Sequence, residues 1–218
     1  MKLILVPTAA LLACASLATA DTTNLLYNGV TAGQVVTITS PGYNGQVNAG
    51  SMSVTLSGGT GAGAAFDGSW LVYCVDYYQT TNTGPNVYDF TSVASLPTSA
   101  PMGAAAAQAV ADLYAAAGGL QYGGDGEFNC AFQLALWEVI GDAGGSYDLG
   151  VGNFAATGLT ANTLAYAVSL LASVGSNSNA NLIGLGNETY QDFVLEVPGP
   201  GALALIGVAG LVGARRRR

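Results

Sequence analysis

The sequence predicts an α+β fold: an antiparallel β region first, two to three α-helices after it, and a last strand before a C-terminal tail. Three observations carry this. Residues 21 to about 100 hold runs that alternate apolar and polar residues between Gly and Asn turn formers. Residues 102–117 then turn abruptly alanine-rich and end at Gly118-Gly119. A second helical pattern over 126–140 is preceded by Asp125 and closed by Gly141.

Taken in order, the chain opens on Met1-Lys2, an apolar run from Leu3 to Leu17, and Ala18-Thr19-Ala20 before Asp21. One positive charge, an apolar stretch and a small-x-small site make a secretory signal peptide over 1–20, cut between Ala20 and Asp21. Leu11-Leu12-Ala13-Cys14 is a loose lipobox, so acylation of Cys14 is a lesser alternative. Within the β region, Asn28-Gly29, Asn44-Gly45 and Gly58-Gly59 are turn pairs. Between them, Gln34 to Thr39 and Ser51 to Leu56 carry the strand period, and the aromatic run from Ser69 to Asp76 reads as a central strand. The first helix puts Val110, Leu113 and Tyr114 on one side, and a third is expected over about 161–174. Ser176 to Asn181 is a polar loop, and 190–197 is the last strand. Residues 21–197 are read as a single extracytoplasmic domain.

Charge removes whole classes of function. The chain has 218 residues with 13 acids, 5 bases and no histidine. The bases are Lys2 and the run Arg215, Arg216, Arg217, Arg218, so residues 21–197 hold all 13 acids and no base. A surface without cations cannot neutralise phosphates, which excludes nucleic acid as a partner. No histidine or lysine is there to act as general base or Schiff-base amine, and a Ser-His-Asp triad or histidine-ligated zinc is equally closed. Asp125, Glu127 and Asn129 begin like a calcium loop, but Cys130 stands where such a loop needs glycine and Leu136 where it needs glutamate. They read as residues favouring a helix N-terminus, and neither metal nor cofactor is expected. Glu138 and Asp142, four apart at a helix end, read as a solvated face rather than a glycosidase pair. The chain is not expected to be an enzyme.

The C-terminus runs Val197-Pro198-Gly199-Pro200, an apolar segment from Gly201 to Ala214, and the four arginines. That segment has about 14 residues where a full membrane span usually needs about 20. Arginines at its end would stay cytoplasmic and leave the domain outside. This tail, over 198–218, resembles the PEP-CTERM sorting signal in its Pro-x-Pro, short apolar helix and terminal arginine run. The resemblance implies anchoring in the inner membrane, processing by a membrane sorting protease of the exosortase type, and release to the envelope, surface or extracellular matrix. Gly199 replaces the glutamate usual in that family.

Two cysteines remain after signal removal, Cys74 and Cys130, and in an oxidising compartment their default is one disulfide. Closing that loop would stabilise by up to about 4 kcal/mol. A second reading starts from Tyr73-Cys74-Val75-Asp76 on the strand and Phe132-Gln133-Leu134-Ala135-Leu136-Trp137 on the second helix. Together these motifs resemble the internal thioester domains of bacterial surface adhesins, and the likeness extends more loosely to Asn153-Phe154 and to Tyr190 through Phe193. The resemblance implies that the Cys74 sulfur and the Gln133 carboxamide condense with loss of ammonia, and that Tyr73 and Trp137 shield the product from water. Gln133 and Trp137, four apart, share a helix face. Cys130, three residues before Gln133, is expected on that face too, so disulfide and thioester would compete for the Cys74 sulfur. The function implied is adhesion or matrix structure through covalent attachment to an amine-bearing surface or matrix component. The alternative is a non-covalent matrix or exopolysaccharide-binding module stabilised by the Cys74-Cys130 disulfide.

Overall fold

The computed structural model describes residues 21–197. The segment read as a signal peptide, the Pro-x-Pro motif, the apolar segment expected to form a C-terminal helix and the arginine run lie outside the described residues. Among the described residues the protein is α+β, with a seven-stranded, wholly antiparallel sheet. The strands are β1 (Thr22–Thr39), β2 (Asn44–Ser57), β3 (Gly68–Cys74), β4 (Asn86–Thr91), β5 (Ala155–Thr157), β6 (Leu182–Gly186) and β7 (Phe193–Glu196). The helices are α1 (Gly103–Ala117), α2 (Gly126–Gly141) and α3 (Ala161–Leu171). The order is β2-β3-β7-β6-β4-β1-β5, and an added β1–β2 pairing closes six strands into a ring.

β1 is long enough to serve two partners on one edge. Its first residues pair with β4, its last with β5, and nearly its whole length with β2. Register shifts between Tyr27 and Gly29 and between Val30 and Ala32 bend this hairpin. The strands cross closely at Gly33 and Gly50: a Cβ on Gly50 would lie 2.0 Å from the Ala32 carbonyl oxygen. Gly126, the first residue of α2, packs over the same spot.

α2 is the axis of the core. It packs against α1, α3, β1, β2 and β3, and every residue from Phe128 to Val139 is buried. A helix apolar on all sides belongs in an interior. Asp125 caps its N-terminus, accepting the N–H groups of Glu127 at 2.9 Å and Phe128 at 3.3 Å. Inside this apolar helix Asn129, Gln133 and Glu138 are fully buried, so each needs a partner from another element.

Helix bounds follow the sequence reading closely for α1 and α2. α3 is shorter than expected, ending at Leu171 rather than 174; the Ser173 hydroxyl donates to the Leu170 carbonyl and the chain turns at Gly175. β5 and β6 were not anticipated.

Candidate functional site

Gln133 finds its partner on the end of β3. Its Nε2 donates to the Cys74 carbonyl oxygen at 2.8 Å, and its Oε1 accepts the Cys74 N–H at 3.0 Å. The carboxamide thus pairs with one backbone residue as a neighbouring strand would. Cys74 needs such a partner because the β2–β3 ladder ends at Met52 and Val72, two residues before it, and leaves the β2 side of its backbone open. Both residues are 0% exposed. The carboxamide is fixed in orientation against the residue that carries the thiol, in a site without water access.

The thiol is surrounded by polar groups. Cys74 Sγ donates to the Asp76 carbonyl oxygen at 2.7 Å and accepts the Asp76 N–H at 3.2 Å. Burial pushes the thiol pKa well up and the Asp76 carboxylate pushes it further, while the Asp76 backbone N–H and the Trp137 indole N–H oppose them. Trp137 Nε1 is buried without a hydrogen-bond partner in good geometry, so its effect on the sulfur is that of a nearby dipole. The thiol is therefore held protonated at neutral pH.

A cleft of about 280 Å³ reaches Trp137 from outside. Tyr27, Tyr43, Tyr77, Tyr78 and Trp137 form its aromatic walls. Trp137, 3% exposed, stands with one side on this cleft and its N–H by the thiol. Tyr77 joins it through Phe154, stacked at 6.4 Å from Tyr77 and tilted at 6.0 Å from Trp137.

Tyr73 is a correction. Successive strand residues face opposite ways, so its ring turns from the Cys74 thiol and packs edge-on to Phe132 at 4.7 Å and Tyr114 at 6.4 Å. Its hydroxyl donates to the Gln121 carbonyl at 2.7 Å and meets Asn129 Oδ1, locking α2 to β3 above the site. Cys130 departs from expectation as well. Both cysteines are free, and the thiol of Cys130 lies by the backbone of Gln34 on β1, with its pKa pushed up to about 11 by burial. It does not meet Cys74. Glu138, expected on a solvated face, is 0% exposed: Oε1 accepts the Asp148 N–H at 2.7 Å, Oε2 has no partner, and burial raises its pKa to about 7.

Sequence reasoning gave no role to Asp76 or Asp192, both 0% exposed beside the thiol. Asp192 Oδ1 and Oδ2 accept the N–H groups of Asn187 at 2.6 Å and Thr98 at 2.5 Å, and burial lifts its pKa to about 6. Asp76 Oδ1 accepts the Tyr78 N–H at 2.6 Å, but Oδ2 has no partner. The available signal was positional: Asp76 lies two residues beyond Cys74, just past the end of β3, close enough along the chain for its own N–H and C=O to meet the thiol. Among the described residues no group of three or more Asp, Glu or Cys converges to hold a metal, and no helix is long and apolar enough to cross a membrane. No protein-family model matches the chain, and neither a curated protein nor a solved structure is significantly similar to it.

Proposed function

We propose that this is an exported cell-surface or biofilm-matrix protein that attaches covalently to amines through an internal thioester between Cys74 and Gln133. The observation that carries the reading is the double hydrogen bond between the Gln133 carboxamide and the Cys74 backbone, which holds the acyl carbon by the thiol-bearing residue. Such pre-positioning supplies much of what an intramolecular acyl transfer needs. Sulfur attacks the carboxamide carbon, the C–N bond breaks, and ammonia leaves carrying the thiol proton. A primary amine later attacks the same carbon, the C–S bond breaks, the thiol regains a proton and an amide remains. Each molecule reacts once, so the protein is a stoichiometric coupler rather than an enzyme.

Three further features support the reading. The site is dry, as a thioester that must outlast hydrolysis requires. Residues 21–197 contain no lysine to compete as an internal nucleophile. Their acidic surface attracts amine-bearing surface or matrix components by steering. The signal-peptide pattern over 1–20 and the PEP-CTERM-like tail support a domain outside the inner membrane, anchored until a sorting protease releases it to the envelope or matrix.

The test is capture of a fluorescent primary amine by the purified exported protein. Label that survives denaturation, maps to Gln133 and vanishes in Cys74→Ala supports the proposal. No label, with a mass lower by two hydrogens, identifies the Cys74-Cys130 disulfide and the non-covalent exopolysaccharide-binding alternative.

A further inference from the structure

The thiol that must attack Gln133 is protonated, and no histidine, lysine or arginine lies within residues 21–197 to accept its proton. Condensation therefore needs a carboxylate or a water at a buried site. We infer that Asp76 is the proton-transfer residue of the Cys74–Gln133 site, taking the thiol proton as the sulfur attacks and returning it to the departing nitrogen as ammonia leaves.

Four observations converge on Asp76. It is fully buried, and Oδ2 is left without a hydrogen-bond partner while Oδ1 is anchored by the Tyr78 N–H. An unpaired buried carboxylate oxygen is costly and calls for a reason. Its own N–H and C=O hold the Cys74 sulfur, so chain geometry fixes carboxylate and thiol together. The segment is clamped from outside: Gln191 Nε2 donates to the Asp76 carbonyl at 3.0 Å, and the Val75 N–H donates to the Asp192 carbonyl at 3.1 Å. Burial raises the Asp76 pKa against the Tyr78 N–H and the nearby N–H groups of Gln79 and Asp192, which lower it as dipoles without reaching hydrogen-bond geometry, and this makes it a stronger base than an ordinary carboxylate. The balance is internal: one S–H and one C–N bond break, one C–S bond forms, the proton leaves on ammonia, and Asp76 ends as it began.

The assignment rests on the thioester reading, and the test separates the two. Incubating the purified exported protein with ammonium chloride at mildly basic pH returns the thioester to Gln133 and free Cys74. After the salt is removed, intact mass follows the renewed loss of ammonia as a function of pH. The titratable groups around Asp76 are Cys74, Tyr77, Tyr88 and Asp192. The wild-type rate should rise as Asp76 ionises and level off well below the thiol range. Asp76→Asn, which keeps the acceptor for Tyr78, should slow closure by about 100-fold and flatten the profile. Asp192→Asn should keep the wild-type profile, which assigns the inflection to Asp76. Equal closure by wild type and Asp76→Asn would overturn the assignment and leave the thioester standing. Should Asp76→Asn not fold, a wild-type rate climbing steadily into the thiol range would overturn it alone. A wild type that never loses ammonia defeats the thioester and this assignment together.

Discussion

Cys74 and Cys130 are equally buried and equally free, yet their surroundings differ in kind. Cys130 sits in the hydrophobic core against the β1 backbone at Gln34 as a small apolar side chain that fills space, the usual lot of a buried cysteine. Cys74 lies where β3 gives out and is met by a carboxamide, an indole N–H, its neighbour's peptide and two carboxylates without a cation. The difference teaches that burial alone says little about a thiol. What marks a site is polar groups gathered at a depth where each carries a desolvation cost that packing does not require.

The comparison is most easily broken at Gln133. Gln133→Ala leaves the Cys74 N–H and C=O unpaired in the core, and urea unfolding should show a loss of about 3 kcal/mol. Destabilisation near zero would mean that the carboxamide is not clamped as described. Tyr73→Phe should cost about 1.5 kcal/mol by freeing the Gln121 carbonyl and Asn129, with amine capture unchanged, because its ring faces away from the thiol. A large loss of capture in a folded variant would restore Tyr73 to the site. Cys130→Ala should cost only about 1 kcal/mol and leave capture intact, as expected of a filler. The smallest effect is on pH. The folded-state pKa values of Glu138, about 7, and Asp192, about 6, lie above the usual carboxylate range. The folded protein then binds more protons than the unfolded chain, so stability is fullest below that range and declines as pH rises through about 7. Thermal midpoints measured across this window should fall, and less steeply in Glu138→Gln.

Much of this was legible in the residues. Asp125 as cap, Gly118 as stop and the apolar run around Gln133 located both major helices, since capping and periodicity are local. β6 escaped because Gly184 and Gly186 weaken a strand signal; a Cβ on Gly184 would fall 2.6 Å from the Leu96 side chain, so packing against Leu96 set the sequence there. β5 is three residues paired only to the far end of β1, a contact with no local signature. In the site, Cys74, Gln133 and Trp137 came together as their motifs implied. Tyr73 did not because adjacency along a strand means opposite faces, and Cys130 did not because its thiol meets the β1 backbone at Gln34 rather than the end of β3. Asp76 depended on knowing which polar atoms the fold leaves unpaired.

The central claim is that the sulfur of Cys74 and the acyl carbon of Gln133 are joined in the exported protein. Intact-mass measurement under denaturing, non-nucleophilic conditions tests it directly. The account predicts a mass lower than the sequence by one ammonia, restored to the full value in Cys74→Ala and Gln133→Ala once each substitution is allowed for, and unaffected by Cys130→Ala. A full, unreduced mass in the wild type, or a loss of two hydrogens that disappears in Cys130→Ala, would contradict it.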